Sequence, residues 1–169
     1  MLPRREILAM TLLAVAVGAW ITMLPSTMNY LQYYSALENL VVNVSSMVIT
    51  SGSSNATVSI RFYIGNPTPY LGIRFATLAY QALLPNGTDT LIIWAGAESS
   101  QHPSLLSANS SLTINEDFVM SGLRWQQYDQ LSRVGNGILN WTVRGSLGLD
   151  TRDGDLTHQF EIPFTTTLQ

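Results

Sequence analysis

The sequence predicts a mainly β protein, an antiparallel sandwich of seven strands with one short helix, preceded by one apolar N-terminal helix. Three observations predict this fold class. Residues 7–24 form an unbroken apolar run. From Leu40 onward, apolar and polar residues alternate as they do in half-buried strands. Turn residues separate these alternating segments at the short, regular spacing that is typical of a sandwich.

The first element is the apolar run of residues 7–24, which Arg4 and Arg5 directly precede. No charged residue occurs between residues 7 and 37, and a charge at the centre of a bilayer costs several kcal/mol. The run, as a helix, is about 27 Å long, close to the ~30 Å thickness of the hydrocarbon core. We therefore expect a transmembrane anchor over residues 1–25.

Arg4 and Arg5 also predict the orientation of this span, because basic residues flanking a span are retained in the cytoplasm. The expected localisation is a single-pass protein of the cell membrane, with a cytoplasmic N-terminus and an extracytoplasmic C-terminal domain. The alternative is a cleaved signal peptide, since residues 14–16 and 17–19 offer small residues for cleavage. The apolar run continues past both positions without a polar region, which favours an uncleaved anchor.

Residues 26–38 form the expected linker between the anchor and a domain over residues 39–169. Pro25 is expected to kink or end the span, with Ser26 or Thr27 capping a short following helix. Three tyrosines in the linker are placed to lie among lipid headgroups, or alternatively to pack on the domain. They are Tyr30, Tyr33 and Tyr34.

The chain is rich in sequences that can accept an N-linked glycan. Five of its ten asparagines begin an Asn-x-Ser/Thr pattern, which suggests an exported glycoprotein. The alternative is that a Ser/Thr-rich surface generates the pattern by composition alone. The candidate glycosylation sites are Asn43, Asn55, Asn86, Asn109 and Asn140.

Composition excludes several classes of function. The chain has no cysteine, so it offers neither disulfides nor thiolate metal ligands. Its formal net charge is −3, which argues against nucleic acid as a partner. The length of residues 39–169 suits one domain with its own apolar core.

Three segments show the clearest strand alternation, and Asn43, Asn55 and Asn140 fall on their polar sides. The expected inward sets are Leu40, Val42, Val44 and Val48; then Ala56, Val58, Ile60, Phe62 and Ile64; then Leu139, Trp141, Val143, Leu147 and Leu149.

Further strands are expected on both sides of a short helix. Hairpin turns are predicted at residues 85–87 and 153–154, and a longer loop at residues 96–109. Apolar spacing over residues 121–134 predicts the helix, with Gly135 as its C-cap. The further strands are predicted at residues 73–84, 88–95, 111–120 and 155–164.

The run from Ala56 to Tyr70, ATVSIRFYIGNPTPY, resembles the strand and Asn-Pro turn of the type 2 late-embryogenesis-abundant (LEA) family, also called the water-stress and hypersensitive-response (WHy) domain. Further similarity lies at the hairpin around Asn86 and in residues 143–150 and 160–164. The resemblance covers residues 38–167, and the anchor makes the chain similar to membrane-anchored, archaeal-like members.

This resemblance implies a fibronectin/immunoglobulin-like sandwich of about seven strands with one helix. It implies a role in stress tolerance or interaction, and it carries no catalytic residues. Asn66-Pro67 has its own physical explanation, because proline cannot continue an interior strand and therefore ends the second one.

A search for chemistry gives no catalytic, cofactor or metal site. His102 and His158 lack the spacing of a zinc site. Residues 150–155 do not match a calcium loop and are better explained as a hairpin, and residues 144–148 lack the first glycine of a hydrolase elbow. Glu116 and Asp117 are adjacent and should point to opposite faces of a strand.

Three tryptophans could line a ligand groove, although on alternating strands they more often belong to a core. They are Trp94, Trp125 and Trp141.

Two hypotheses of function remain from the sequence. The first is a non-enzymatic surface domain for protein interaction or stress protection at the envelope. The second is an accessory subunit of a membrane complex or a pilin-like filament subunit, with partners bound through the span or the sandwich edge. A filament subunit would normally have glycine or alanine after the basic residues, where this chain has Glu6 and Ile7. No enzymatic activity is expected.

Overall fold

A computed structural model describes residues 3–86, 89–135, 137–150 and 160–168. These residues form two compact units, one ending at Glu38 and the other beginning at Asn39. Each unit has its own architecture, a single helix in the first and a β-sandwich in the second.

The first unit is one continuous helix, α1, which runs from Arg4 to Glu38. The prediction that Pro25 could end the span before a separate short helix is wrong, because Pro25 lies inside α1. Proline removes one backbone hydrogen bond, but its φ is compatible with a helix, and membrane helices tolerate this loss. Before Pro25, the Thr22 hydroxyl donates to the carbonyl of Ala19. After it, the Thr27 hydroxyl donates to the carbonyl of Met23.

The second unit consists of two antiparallel sheets, which confirms the sandwich. Its elements are β1 (Val41–Ser51), β2 (Asn55–Asn66), β3 (Ile73–Asn86), β4 (Asp89–Leu106), β5 (Ser110–Ser121), α2 (Gly122–Val134), β6 (Trp141–Asp150) and β7 (Phe160–Leu168). The strand order is β1-β2-β5 in the three-stranded sheet and β4-β3-β6-β7 in the four-stranded sheet.

The core lies between the sheets and contains most of the predicted inward residues. All five apolar residues of the predicted set in β2 are buried, as are Trp141, Val143, Leu147 and Leu149 in β6. Alternation predicts these strands correctly because each has one face in the core and one in solvent.

The inward set predicted for β1 is wrong at Val48, which is 58% exposed. A β-bulge is the cause, since Val44 pairs with Phe62 but Ser46 pairs with the next residue, Arg61. The extra residue, Ser45, reverses which side chains face inward along the rest of the strand. Its hydroxyl donates to the carbonyl of Arg61.

The loop predicted at residues 96–109 is mostly strand, because β4 continues to Leu106. β4 pairs with β3 in three stretches, separated by register shifts opposite Phe75/Thr77 and opposite Ala82/Leu83. The described residues contain seven strands, or eight if β4 is divided at the first of these shifts, where residues 100–103 have no partner in the β3 register. The small and polar residues of this segment hide its strand character, and an edge strand tolerates Pro103.

The remaining predictions are mostly confirmed. Asn86 pairs with Asp89, so β3 and β4 are antiparallel neighbours at the predicted hairpin, whose Gly87 lies outside the described residues. The helix over residues 121–134 is α2, and Gly135 caps it by donating its N–H to the Leu131 carbonyl. The turn predicted at residues 153–154 and the start of the strand predicted at 155–164 lie outside the described residues.

The two sheets meet along both lateral sides of the sandwich. On one side, the Val44 N–H donates to the Thr166 hydroxyl at 3.3 Å, connecting β1 to β7. On the other, Trp94 of β4 stacks on Phe118 of β5. We refer to this second side, formed by the edge strands β4 and β5, as the β4–β5 side.

Candidate functional site

All five asparagines of the glycosylation pattern are exposed, as a glycan carrier must be. Asn43 lies on β1, Asn55 begins β2, Asn86 ends β3 and Asn140 precedes β6. Asn109, between β4 and β5, has a φ of 49°, a conformation that asparagine adopts more readily than most residues. The five positions are spread over several elements, and their glycosylation stays a prediction.

Asn66 is the exception among the asparagines, because it is fully buried. Its amide nitrogen donates to the carbonyls of Tyr70 at 2.9 Å and Ser107 at 3.2 Å. Its amide oxygen accepts from the N–H of Thr68 at 3.1 Å and from the Thr68 hydroxyl at 2.7 Å. The side chain thereby connects the β2–β3 and β4–β5 loops, and the Asn-Pro pair ends β2 as predicted.

The three tryptophans of the domain that the sequence singles out have different surroundings. Trp141 is buried in the core, while Trp125 is half-buried on α2 and packs against Tyr128 at 5.6 Å between ring centroids. Trp94 lies on the β4–β5 side, where the guanidinium carbon of Arg124 is 5.6 Å from its ring centroid. This distance is suitable for a cation–π contact.

Next to Trp94, the fold brings together two acidic side chains that the sequence analysis did not associate. We call Glu98 of β4 and Glu116 of β5 the carboxyl pair, because the two are within hydrogen-bonding reach of each other. The Tyr80 hydroxyl donates to Oε2 of Glu116 at 3.5 Å, which is long for such a bond. Oε2 of Glu98 is buried and has no hydrogen-bond partner among the described residues.

The surroundings of the carboxyl pair favour the neutral form of Glu116. Burial raises the pKa of the Glu116 carboxyl most, and the hydrogen bond and negative charge of Glu98 raise it further, against a smaller opposing effect of the Tyr80 hydrogen bond. Burial, followed by the charge of Glu116, also raises the pKa of Tyr80, which therefore stays protonated and donates. The pair can hold a proton, as two neighbouring carboxyls commonly do.

The carboxyl pair is not accompanied by further metal-ligating groups in the described ranges. No cluster of three or more His, Asp, Glu or Cys residues occurs within residues 3–86, 89–135, 137–150 and 160–168. His158 and the acidic residues after Asp150 lie outside these ranges. Glu98 was missed because it is 18 positions from Glu116 in the sequence, and only the packing of two sheets brings them together.

The outer face of the four-stranded sheet has a shallow depression of about 550 Å³. Its rim includes Arg144, whose Nε and Nη2 donate to Oε1 of Gln81 at 3.2 and 3.1 Å. Gly145 lies on its floor, where a Cβ would overlap the carbonyl oxygen of Ala79. The segment 144–148, considered above as a hydrolase elbow, is therefore an ordinary stretch of β6.

No protein-family model and no curated protein sequence matches the chain. Among solved structures, it is similar to a protein from Archaeoglobus fulgidus, at 12% identity and a TM-score of 0.48, over 75% of this chain and 94% of that one. It is also similar to a protein from Arabidopsis thaliana, at 14% identity and a TM-score of 0.48, over 75% and 77% of the two chains.

A third similar structure is that of a putative late embryogenesis abundant (LEA) protein, at 12% identity and a TM-score of 0.39. This match covers 93% of the present chain and 85% of the other. All three TM-scores are below 0.5, so these similarities do not decide the family. The fold assignment follows from the sheet topology itself.

Proposed function

We propose that the chain is a non-enzymatic domain, tethered by α1 to the outer face of the cell membrane, that acts in protein interaction or stress protection of the envelope. The observation that carries this proposal is the apolar surface of α1. Its large apolar side chains from Ile7 to Met23 are 49–68% exposed, and an 18-residue window has a mean hydropathy of 2.3. Among the described residues, one helix is long and apolar enough to cross a membrane, and it is α1. A bilayer would cover this surface.

The orientation is supported by the charges at the two ends of the apolar run. Arg4 and Arg5 precede it, whereas no basic residue follows until Arg61. The resulting topology would leave the N-terminus in the cytoplasm and the sandwich outside. The exposure of all five candidate glycosylation sites is compatible with an exported glycoprotein.

The non-enzymatic part of the proposal is supported by what the core contains. Among the described residues, the buried polar ones are Asn66 and Asp150. The amide of Asn66 is fully engaged by its hydrogen bonds to backbone and Thr68, which leaves nothing for chemistry. Asn66 therefore serves the fold, as is expected of a domain that presents surfaces rather than transforms a substrate.

We also propose membership of the type 2 LEA family, as a membrane-anchored, archaeal-like member. The proposal rests on the Ala56–Tyr70 run and on the way its Asn-Pro pair is used. In this fold, Asn66 ends β2 and forms hydrogen bonds to the two neighbouring loops, so the motif stabilises this end of the sandwich. The sandwich with one short helix is the architecture that the resemblance implies.

The experiment that tests the tether is extraction of native membranes with alkaline carbonate. Wild-type protein should remain in the pellet with its N-terminus intact. Val15→Asp places a charge at the centre of the span and should move most of the protein to the supernatant, since insertion then costs about 3 kcal/mol more. Val15→Leu is the matched control and should remain in the pellet. Release of the wild type would contradict the tether.

A second candidate function, an accessory subunit of a membrane complex or a filament subunit, is favoured by the length of α1. Its 35 residues correspond to about 52 Å, well above the ~30 Å hydrocarbon core. Beyond Leu24, the side chains of Met28, Tyr30 and Leu31 are 55–63% exposed. A partner helix packed on this part of α1 would remove them from water.

Purification from native membranes in mild detergent distinguishes the two candidates. A stoichiometric partner that is lost in Leu31→Ser, while carbonate resistance is retained, would favour the subunit. Gln32→Ser, at the adjacent position, is the matched control. A lone protein would favour the tethered domain.

A further inference from the structure

We propose that Glu98 and Glu116 share one proton and act as a pH-operated latch on the β4–β5 side, closed while the pair holds the proton and loosened when both carboxyls are ionised. The pair lies between two edge strands that belong to different sheets. Backbone hydrogen bonds connect β4 to β3 and β5 to β2. Beyond the short loop that joins them, the described residues of these two edges are therefore held together by side chains.

The unpartnered oxygen of Glu98 indicates where the shared proton is needed. A buried carboxylate oxygen without a hydrogen-bond donor is destabilising, because its hydration is lost and nothing replaces it. Tyr80 donates to Glu116, and the Trp94 side chain is hydrogen-bonded to Tyr80, so neither supplies a donor to Oε2 of Glu98. A proton on Glu116 would supply it, since a protonated carboxyl becomes a donor.

Among the side chains that the structure describes, the charged groups around the pair do not offer an alternative partner. β3 contributes the neutral Tyr80, and β5 contributes Asp117, whose negative charge adds slightly to the effect on Glu116. From α2, Arg124 lies over the ring of Trp94. Negative charge thus accumulates at this point, and the proton is what balances it.

The sign of the pH dependence follows from the direction of the Glu116 shift. Folding raises this pKa above its ordinary value of 4.5, so the closed form binds the proton more tightly than the open form does. The stabilisation is fully present below pH 4.5 and is lost as the pH rises through the raised pKa. Over that window, opening becomes up to about tenfold more favourable per pH unit and then levels off.

Opening would separate Trp94 from Phe118, which gives a local readout in the full-length protein in detergent micelles. Hydroxyl-radical footprinting with mass spectrometry measures side-chain accessibility residue by residue. Between pH 4.5 and pH 8, oxidation of Trp94 and Phe118 should increase at least twofold, while oxidation of the core residue Trp141 should stay constant. An unchanged rate at Trp94 and Phe118 would overturn the latch.

Glu116→Gln removes the titrating carboxyl while keeping its size and a donor like that of the protonated carboxyl, so this variant should show no pH dependence. Glu98→Gln removes the neighbouring charge but leaves Glu116 buried, so it should weaken the pH dependence without abolishing it. Asp117→Asn is the matched control, because it removes a neighbouring carboxylate from the exposed face of β5 and should behave like the wild type. A full pH response in Glu116→Gln, or an undiminished one in Glu98→Gln, would assign it to another group and reject the proposal.

A direct titration keeps the test independent of the variants' folding. In wild-type protein labelled with ¹³C at the glutamate side-chain carboxyls, NMR should show that the Glu116 carboxyl titrates above pH 4.5. A Glu116 carboxyl that titrates at or below its ordinary value would contradict proton sharing.

Discussion

Trp94 and Phe118 stack face to face, with ring centroids 4.8 Å apart and ring planes inclined by 3°. The two residues come from different sheets and lie beside the carboxyl pair. On the opposite side of the sandwich, the Val44 N–H donates to the Thr166 hydroxyl. Among the described residues, the β4–β5 side thus has an aromatic stack and titratable carboxyls, whereas the side formed by β1 and β7 has this neutral hydrogen bond.

The stack should contribute measurably to the stability of the domain. Phe118 is buried, so Phe118→Ala should lower the free energy of unfolding by about 3–5 kcal/mol. A double-mutant cycle with Trp94→Ala should give a coupling energy of about 0.5–1.5 kcal/mol for the pair. Urea unfolding of the full chain in detergent measures both, and a coupling energy near zero would mean that the rings pack independently.

Trp141 lies between the sheets with 4% of its surface exposed, in contact with Tyr128 of α2 at 6.0 Å between ring centroids. Trp141→Ala should therefore destabilise the domain by about 3–5 kcal/mol. Trp125→Ala, at a half-buried position on α2, should cost clearly less. A loss below about 1 kcal/mol for Trp141→Ala, in the same urea experiment, would contradict the register of β6.

Asn66 should be the polar residue on which the domain depends most. Asn66→Ala removes four hydrogen bonds, two to the carbonyls of Tyr70 and Ser107 and two from Thr68, and should cost at least about 2 kcal/mol. Asn115→Ala is the matched control: Asn115 is exposed and accepts one bond from Nε of Arg61, so its loss should cost under about 0.5 kcal/mol. Equal losses in the two variants would show that the amide of Asn66 has no special role.

How much of this fold the sequence predicts depends on whether the signal is local. The core face of β2 from Ala56 to Ile64 is predicted completely, because successive residues of this stretch alternate between the core and the other face of the strand. The bulge at Ser45 is not predicted, because a small polar residue at that position is equally compatible with a regular strand. β4 was predicted to end near Ala95 because the residues that follow are small and polar, while its pairing with β3 continues.

The candidate site is less predictable than the fold. The exposure of the glycosylation pattern follows from strand alternation and needs no tertiary information. The carboxyl pair depends on the packing of two edge strands from different sheets, and the sequence around Glu98 has no feature that indicates Glu116. Sequence reasoning compared Glu116 with its neighbour Asp117, which lies on the exposed face of the strand.

The central claim, a sandwich tethered outside the membrane by α1, is tested most directly by protease protection on intact native cells followed by mass spectrometry. External protease should digest the part after Asn39 and leave a protected N-terminal fragment that still contains Arg4 and Arg5. Detergent permeabilisation should expose that fragment as well. A protected sandwich in intact cells, or native protein that lacks residues 1–19, would contradict the account.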